Sequence, residues 1–418
     1  MTRYGLSMTL REAMAGAAAP EASTVTSLRQ RNRASALQLI LRERETTRAE
    51  VAKRCGLSAA SAANLVAELI ADGLVIETGT VSSRGGRPIS LIAPNPDGAY
   101  AIGADVGERG VAVELFDLSL TMVDREFRGG GEPESSEGII ADLREAVAAL
   151  RERNAERWPR VLGIGLGLPG VVETDAAGRQ TLYAQSLGWA PLPIPTDLDG
   201  GLAVFAENGA KMQARAELWF GAAAGVGHAL VALLGRGVGL GVVSDGQLAR
   251  GAFSSAAEWG HTKIRFDGEP CRCGDRGCVE AYLGADAILE AWRRAGGTFA
   301  GSGWQALGAL LDAADAEEPA AASVLDRVIE ALGAGLGSLV NLSNPERVVI
   351  GGWVGLRLME RYADRIRAAI VANSLPRLGA QFELAVASFG GDTVALGSAL
   401  MPIEALIQAP VRLAQRDR

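Results

Sequence analysis

The sequence predicts an α/β protein in two unequal parts: a winged helix-turn-helix over residues 29–93 and a larger α/β body behind it. Charge marks the division. Residues 29–93 hold 10 Lys+Arg against 6 Asp+Glu, and residues 94–418 hold 29 against 41, so a small basic module precedes a large acidic one within a net charge of −8. Periodicity marks it again. Helical spacing with glycine stops runs to Gly73, whereas beyond residue 97 apolar residues alternate at strand spacing around an Asp-x-Gly turn. A chain of 418 residues that is 48% hydrophobic can bury a substantial core, and at roughly 100 to 200 residues per domain it holds two to four domains.

Residues 1–28 read as a disordered leader. Charges interrupt the stretch and it has no sustained apolar core, so neither a signal peptide nor a membrane span is expected. The four cysteines, Cys55 alone and Cys271, Cys273 and Cys278 together, do not form the evenly spread framework of a secreted domain, and a reducing cytoplasm is expected.

In the basic module, "ALQLILRE" reads as one amphipathic helix, "TRAEVAKRCG" as a second that starts after Thr47 and stops at Gly56, and "SAASAANLVAELIADG" as a third capped by Ser58 and ended by Gly73. Two helices joined by a tight glycine-containing turn make a helix-turn-helix. Helical spacing puts Ala62, Leu65, Val66, Leu69 and Ile70 toward the core and leaves Ser61, Asn64 and Glu68 outside. Cys55 is then a buried apolar residue. The two β-rich runs in "LVIETGTVSSRGGRPISLIAP" flank a turn with Arg84 and Arg87 and form a wing. The stretch resembles the winged helix-turn-helix of bacterial regulators. That resemblance implies operator DNA as a partner, with the third helix in the major groove and the wing arginines on phosphates or the minor groove. The third helix is rich in alanine and lacks the Arg, Lys or Gln of bidentate base contacts, so direct readout falls to Ser58, Ser61 and Asn64, supplemented by methyl contacts and DNA shape. The alternative is a winged helix used for protein contacts.

"APNPDG" reads as a linker. After it come "AYAIGADVGERGVAVELFDLSLTMV", a strand hairpin, and then "VLGIGLGLPGVVE", "AVFAENGAKMQARAELWFG", "ALVALLGRGVGLGVVSDGQLARG" and "LVNLSNPERVVIGGWVG". The hairpin is similar to the one opening each lobe of sugar kinases with the actin-like, ribonuclease-H-like fold. The order of these runs over roughly residues 97 to 405 resembles the ROK family (repressors, open reading frames and kinases), and with the winged module in front the whole chain resembles that family's transcriptional regulators. The resemblance implies a first lobe at 97–215 completed by a C-terminal helix at about 393–408, and a second lobe at 216–392 carrying a zinc-binding segment.

Within "EWGHTKIRFDGEPCRCGDRGCVEAY", Cys-x-Cys-x4-Cys with His261 ten residues ahead offers three thiolates and an imidazole, from Cys271, Cys273, Cys278 and His261. This is the ligand set of a closed structural Zn2+ site in a segment with little of its own to bury; the alternative is a disulfide with a spare thiol. The family resemblance further implies that Glu258, His261 and Glu280 bind sugar hydroxyls, joined by Asn208 and the backbone near Pro169 and Gly170, with His261 using one ring nitrogen for the metal and the other for the sugar. Rigidly held carboxylates, amides and an imidazole suit a ring of hydroxyls that both donate and accept. The other reading of Glu258 and Glu280 is a solvated face.

Family kinases carry Glu-Asn-Asp-Ala, whose Asp takes the proton from the sugar hydroxyl; here the run is Glu207-Asn208-Gly209-Ala210. Losing a positioned base forfeits about 10²- to 10⁴-fold in rate. The nucleotide loops depart too: "GRGVGLG" has Arg236 and Leu240 for the family's Thr and Gly, "DVGERG" lacks the Gly-Thr after Gly107, and "IGGWVG" has Trp353 where glycine is common. The expectation is a cytoplasmic, sugar-responsive repressor with no enzymatic activity, a homodimer or dimer of dimers, sensing a sugar or sugar phosphate. Its rivals are an active ROK sugar kinase with a DNA-binding domain and a regulator controlled by a protein partner. His228 is expected to be structural.

Overall fold

The computed structural model describes residues 25–82, 88–107, 110–129, 135–196, 198, 201–390 and 393–408. Helix α1 (Val25–Glu43) opens inside the segment assigned to a leader and runs well upstream of "ALQLILRE". Two of its arginines are held by the third helix and its cap: Arg29 pairs with Glu68, and the buried Arg33 meets Asp72 at 2.6 Å. Thr47 caps α2 (Arg48–Arg54) by accepting from the Glu50 amide at 3.1 Å, and Ser58 caps α3 (Ala59–Ala71) by accepting from the Ser61 amide at 3.1 Å. Gly56 and Gly73 end α2 and α3 with φ of +63° and +75°, the left-handed turn glycine takes without strain. Ala62, Leu65, Val66 and Leu69 are buried as their spacing requires, and Ile70 is half-buried. The wing pairs β2 (Val75–Val81) antiparallel with β3 (Ile89–Pro94), and β1 (Thr46–Thr47) lies on the other side of β3. Arg84 and Arg87 lie outside the described residues.

The body holds two five-stranded sheets of the same design. The first has the order β11-β7-β4-β5-β6: an antiparallel meander of β4 (Tyr100–Gly107), β5 (Gly110–Asp117) and β6 (Met122–Arg128) extended by parallel strands β7 (Val161–Leu168) and β11 (Ala203–Asn208). Helix α4 (Ser136–Arg153) packs on the meander, and a small sheet of β8 (Val171–Thr174), β9 (Gln180–Tyr183) and β10 (Leu192–Pro193) leaves its far end. Between the two large sheets runs α5 (Gly209–Phe220), buried from Ala210 to Trp219.

The second sheet, β14-β13-β12-β15-β16, repeats the pattern with the meander β12 (Ala229–Leu234), β13 (Val238–Ser244), β14 (Gln247–Leu248) and the parallel strands β15 (Arg347–Gly351) and β16 (Glu383–Val386). Its helices are α6 (Glu280–Leu283), α7 (Ala285–Arg294), α8 (Gly303–Asp315), α9 (Pro319–Ser343), α10 (Gly352–Ala372) and α11 (Pro376–Gly379).

The last helix, α12 (Thr393–Gln408), returns to the first sheet and lies on β4 and β7. Every residue of β7 is buried, as a parallel strand covered on both faces must be. The covering helix comes so close that a Cβ on Gly103 or Gly165 would stand 1.9 Å from a carbonyl oxygen of α12.

One hydrophobic core joins the winged module to the body. Leu37, Ile40 and Leu41 of α1 share it with Leu400, Ile403, Leu406 and Ile407 of α12 and with Trp219 of α5. "APNPDG" is accordingly no loose tether. Asn95 donates to the Gly73 carbonyl at 2.7 Å, its amide reaches the Leu74 carbonyl at 2.9 Å, and Gly98 sits so close to Gly73 that a Cβ there would be 2.5 Å from its carbonyl oxygen. Local composition signalled a connector. The packing that fixes it comes from residues 20 or more positions away.

Candidate functional site

Open parallel sheets bind ligands beyond the carboxyl ends of their strands, and β7 and β11 end side by side at Leu168 and Asn208. A cleft of about 820 Å³ opens there, with Pro169, Gly170 and Asn208 on the first-sheet side and Arg236, Glu258, His261, Arg272 and Glu280 on the second. The sugar-facing residues expected from the sequence therefore meet in one cleft.

Asn208 is the N-cap of α5. Its Oδ1 accepts from the amides of Ala210 (2.9 Å) and Lys211 (3.3 Å), and its Nδ2 donates to the Gly170 carbonyl at 2.8 Å. The cap thus fixes Pro169–Gly170 against α5 and leaves one amide hydrogen for a ligand.

Glu258 follows Ala257, which has φ of +72°, in a loop held by two buried charges and an exposed arginine: Lys211 donates to the Ser254 carbonyl and lies 3.5 Å from the buried Glu207, and Arg250 meets Glu207 from the surface at 3.0 Å. Burial pushes the Glu258 carboxyl above its ordinary range; Lys211 and His261 oppose the shift, while Glu280 and Glu207 add to it. The Glu207–Lys211–Arg250 group was not singled out from the sequence, although Glu207 and Lys211 are spaced i, i+4. Glu280 is buried and turned to the protein. Its Oε2 accepts from the Val238 amide at 2.9 Å and its Oε1 lies 3.9 Å from Cys271 Sγ, so it ties the β12–β13 turn to the cysteine segment.

The donor atoms of His261, Cys271, Cys273 and Cys278 all lie within 4.8 Å of one another. Cys273 and Cys278 are 3.8 Å apart at sulfur, and Cys271 Sγ is 3.7 Å from His261 Nδ1. A tetrahedron with metal–sulfur bonds of about 2.3 Å has sulfur–sulfur edges of about 3.8 Å, whereas a disulfide requires a bond of about 2.05 Å. All four cysteines are free thiols, which removes the disulfide alternative. Burial, with the Glu280 charge adding to it and a backbone hydrogen bond at Cys273 opposing it, pushes the Cys271 thiol up to about 12. Burial raises the Cys278 pKa, and Lys263, 3.5 Å from its Sγ, opposes that shift. The group can hold a metal ion, and His261 also lines the cleft.

On the winged module, Ser58, Ser61 and Asn64 are exposed. The Ser58 hydroxyl donates to Ser61 Oγ at 2.9 Å while capping α3, which leaves Asn64 the least committed of the three. Cys55 is half-buried beside the module's core, and His228 lies 3.6 Å from Asp245, outside the cleft lining. Arg272, Trp304 and Thr393 also line the cleft and were not read as cleft residues. Arg272 lies between two metal-ligand candidates, a position that signals nothing by itself, and Trp304 is brought in by tertiary packing alone.

The family model for the ROK family matches residues 101–405. Over 395 residues the chain is 28% identical to the xylose repressor of Caldicellulosiruptor bescii, covering 92% of this chain and 98% of that protein. Over 311 residues it is 30% identical to a glucokinase of Halalkalibacterium halodurans, covering 71% of this chain and 93% of that one. Among solved structures, a ROK family transcriptional regulator described as a homologue of the E. coli MLC protein superposes with a TM-score of 0.73 at 24% identity, over 91% of this chain and 97% of its own, which shows the shared fold.

Proposed function

The chain belongs to the ROK family, and from that membership and the cleft we propose that it is a sugar-responsive transcriptional repressor whose winged module binds operator DNA. The similarity to the xylose repressor runs through nearly the whole length of both proteins, whereas the glucokinase match is confined to a smaller share of this chain. One observation carries the reading. Helix α5 begins at Asn208 in the cleft and ends at Trp219 and Phe220, over whose rings lie Arg42 (5.0 Å) and Arg44 (5.6 Å) of the winged module. At 12 residues it spans about 18 Å, a rigid connection between the cleft and the winged module. Glu404 of α12 clasps the same end, pairing with Arg215 and accepting from Trp219 Nε1 at 2.9 Å.

A sugar closing the cleft would move α5 and reset the spacing of two winged modules across a dimer or dimer of dimers, whose half-sites must lie about 34 Å apart. Such a ligand acts only through its preference for one state. Ser58, Ser61, Asn64, Arg84 and Arg87 are assigned to the DNA face; Asn208, Glu258, His261, Glu280, Pro169 and Gly170 are assigned to the sugar. Zinc is the ion we assign to His261, Cys271, Cys273 and Cys278; it would supply positional order, and its four ligands leave no coordination position for chemistry. The DNA partner and the reduced thiols fit a cytoplasmic location. Among the described residues, no helix is long and apolar enough to cross a membrane.

Fluorescence anisotropy of labelled operator DNA with D-xylose, D-glucose and their phosphates tests the function: one of them should weaken binding. Unchanged affinity with every sugar, alongside a response to a protein fraction, would favour control by a protein partner.

The cleft lacks the family's base. A Cβ on Gly209 would meet only the Leu168 carbonyl and Val394 Cγ1, each at 3.7 Å, so aspartate fits there. At the first position of α5 its charge suits the helix N-terminus, and Gly209→Asp should stabilise the fold by about 0.5–1 kcal/mol in chemical denaturation. Sugar-dependent ATP turnover should stay at background, because Trp353 and the altered phosphate loops remain. Phosphorylation by this variant would show that the nucleotide site still works.

A further inference from the structure

Resting on the sugar-sensing reading, we propose that the cleft contains a second sugar subsite at Trp304 and Trp353 and that its effector is a disaccharide. Trp304 stands in the first turn of α8 with 48% of its surface exposed, while Leu307, Leu310 and Leu311 of the same helix are buried in the core. Trp353 stands in the first turn of α10. The two indoles lie 6.4 Å apart at 48°, and the Arg357 guanidinium stacks 4.0 Å from the Trp304 ring, which fixes that side chain's orientation. Both rings line the same cleft as Glu258 and His261.

A pyranose carries hydroxyls around its rim and C–H groups on its faces, and an aromatic face, negative at its centre, receives those C–H groups. The polar side chains at one end of the cleft suit the rim of one ring; the indoles at the other suit the face of a second. At about 820 Å³ the cleft has room for both.

Two amides of the turn beside both groups are already engaged within the protein. The Gly235 amide is bonded to the Gly237 carbonyl at 3.0 Å, and the Val238 amide is bonded to the Glu280 carboxylate at 2.9 Å. The amides of Gly235 and Val238 are therefore spent, the second of them on a carboxylate. The turn also packs on the edge of Trp353, whose Nε1 is 3.4 Å from where a Gly235 Cβ would stand. The two indoles are the surface that a second sugar ring fits.

Titration calorimetry on the full-length, zinc-loaded protein tests the subsite. The probes are D-glucose and D-xylose, the disaccharides cellobiose, gentiobiose, isomaltose and xylobiose, and ADP. At least one disaccharide should bind about tenfold more tightly than its constituent monosaccharide, and Trp304→Ala should reduce that preference to about one. A monosaccharide that binds and releases operator while every disaccharide is excluded would overturn the subsite and leave sugar sensing intact. Equal affinity for both lengths, a preference unchanged in Trp304→Ala, or Trp304-dependent binding of ADP would also overturn it. If no saccharide of either length binds, the sugar-sensing reading fails and takes the subsite with it.

Discussion

Stripping the metal from the His261–Cys271–Cys273–Cys278 cluster is expected to abolish the sugar response while leaving operator binding in place. The four donors hold a segment whose Glu280 is bonded to Val238 and whose His261 lines the cleft. A structural zinc site contributes roughly 10–16 kcal/mol in small domains, more than this loop's sparse apolar contacts can replace. Hydrogen bonds to charged groups contribute about 1.5–3 kcal/mol each, so losing the placement of His261 and Glu258 should weaken sugar binding by about 10²-fold or more. The core of the winged module is built from α1, α3, α12 and Trp219, none of which belongs to that segment, so its affinity for DNA without effector should persist. Cys273→Ser, with zinc counted by elemental analysis, sugar affinity by calorimetry and operator affinity by anisotropy, makes the measurement. Native sugar affinity in protein shown to be free of zinc would end the assignment.

Loosening the far end of α5 should produce the complementary defect, a repressor that binds sugar and DNA but no longer connects them. Trp219 lies under the Arg42 guanidinium and donates to Glu404. Burial lowers the Arg42 pKa and Glu404 offsets the shift, so the two charges depend on each other across the junction. Arg42→Met with Glu404→Gln keeps most of the packing volume and removes both charges. Coupling between sites is typically about 1–3 kcal/mol, and the double variant should lower the sugar-induced change in operator affinity by at least about fivefold, with each separate affinity within about threefold of native. A change in operator affinity equal to that of the native protein would show that the signal does not pass through this junction.

Local signals carried the reading of the winged module. Thr47, Ser58, Gly56 and Gly73 act within a few residues of their own position, through a capped amide or a positive φ, and the structure uses each as its chemistry requires. The Cys3His group was legible for a related reason: its four residues lie within 18 positions, and the fold brings their donor atoms within 4.8 Å of one another. Cleft residues were legible one by one, but their commitments were not. Asn208 proves to be a helix cap that also holds the Gly170 carbonyl, and Glu280 spends one oxygen on Val238. Trp353 was legible as a bulky substitution. Its partner Trp304 lies 49 positions away on another helix, and only packing brings the two indoles together.

By itself, then, the sequence determined the order of the modules, the caps and stops of the short helices, the grouping of three cysteines with a histidine and the absence of a carboxylate at residue 209, because each depends on side-chain identity at short range. Tertiary structure alone decided that the winged module shares a core with α12, that α5 joins the cleft to Arg42, and that two tryptophans meet at the cleft's far end. The physical reason is range: Arg215 and Glu404 stand 189 positions apart in sequence, and contacts of that kind form only when both sheets and the returning helix have closed on one another.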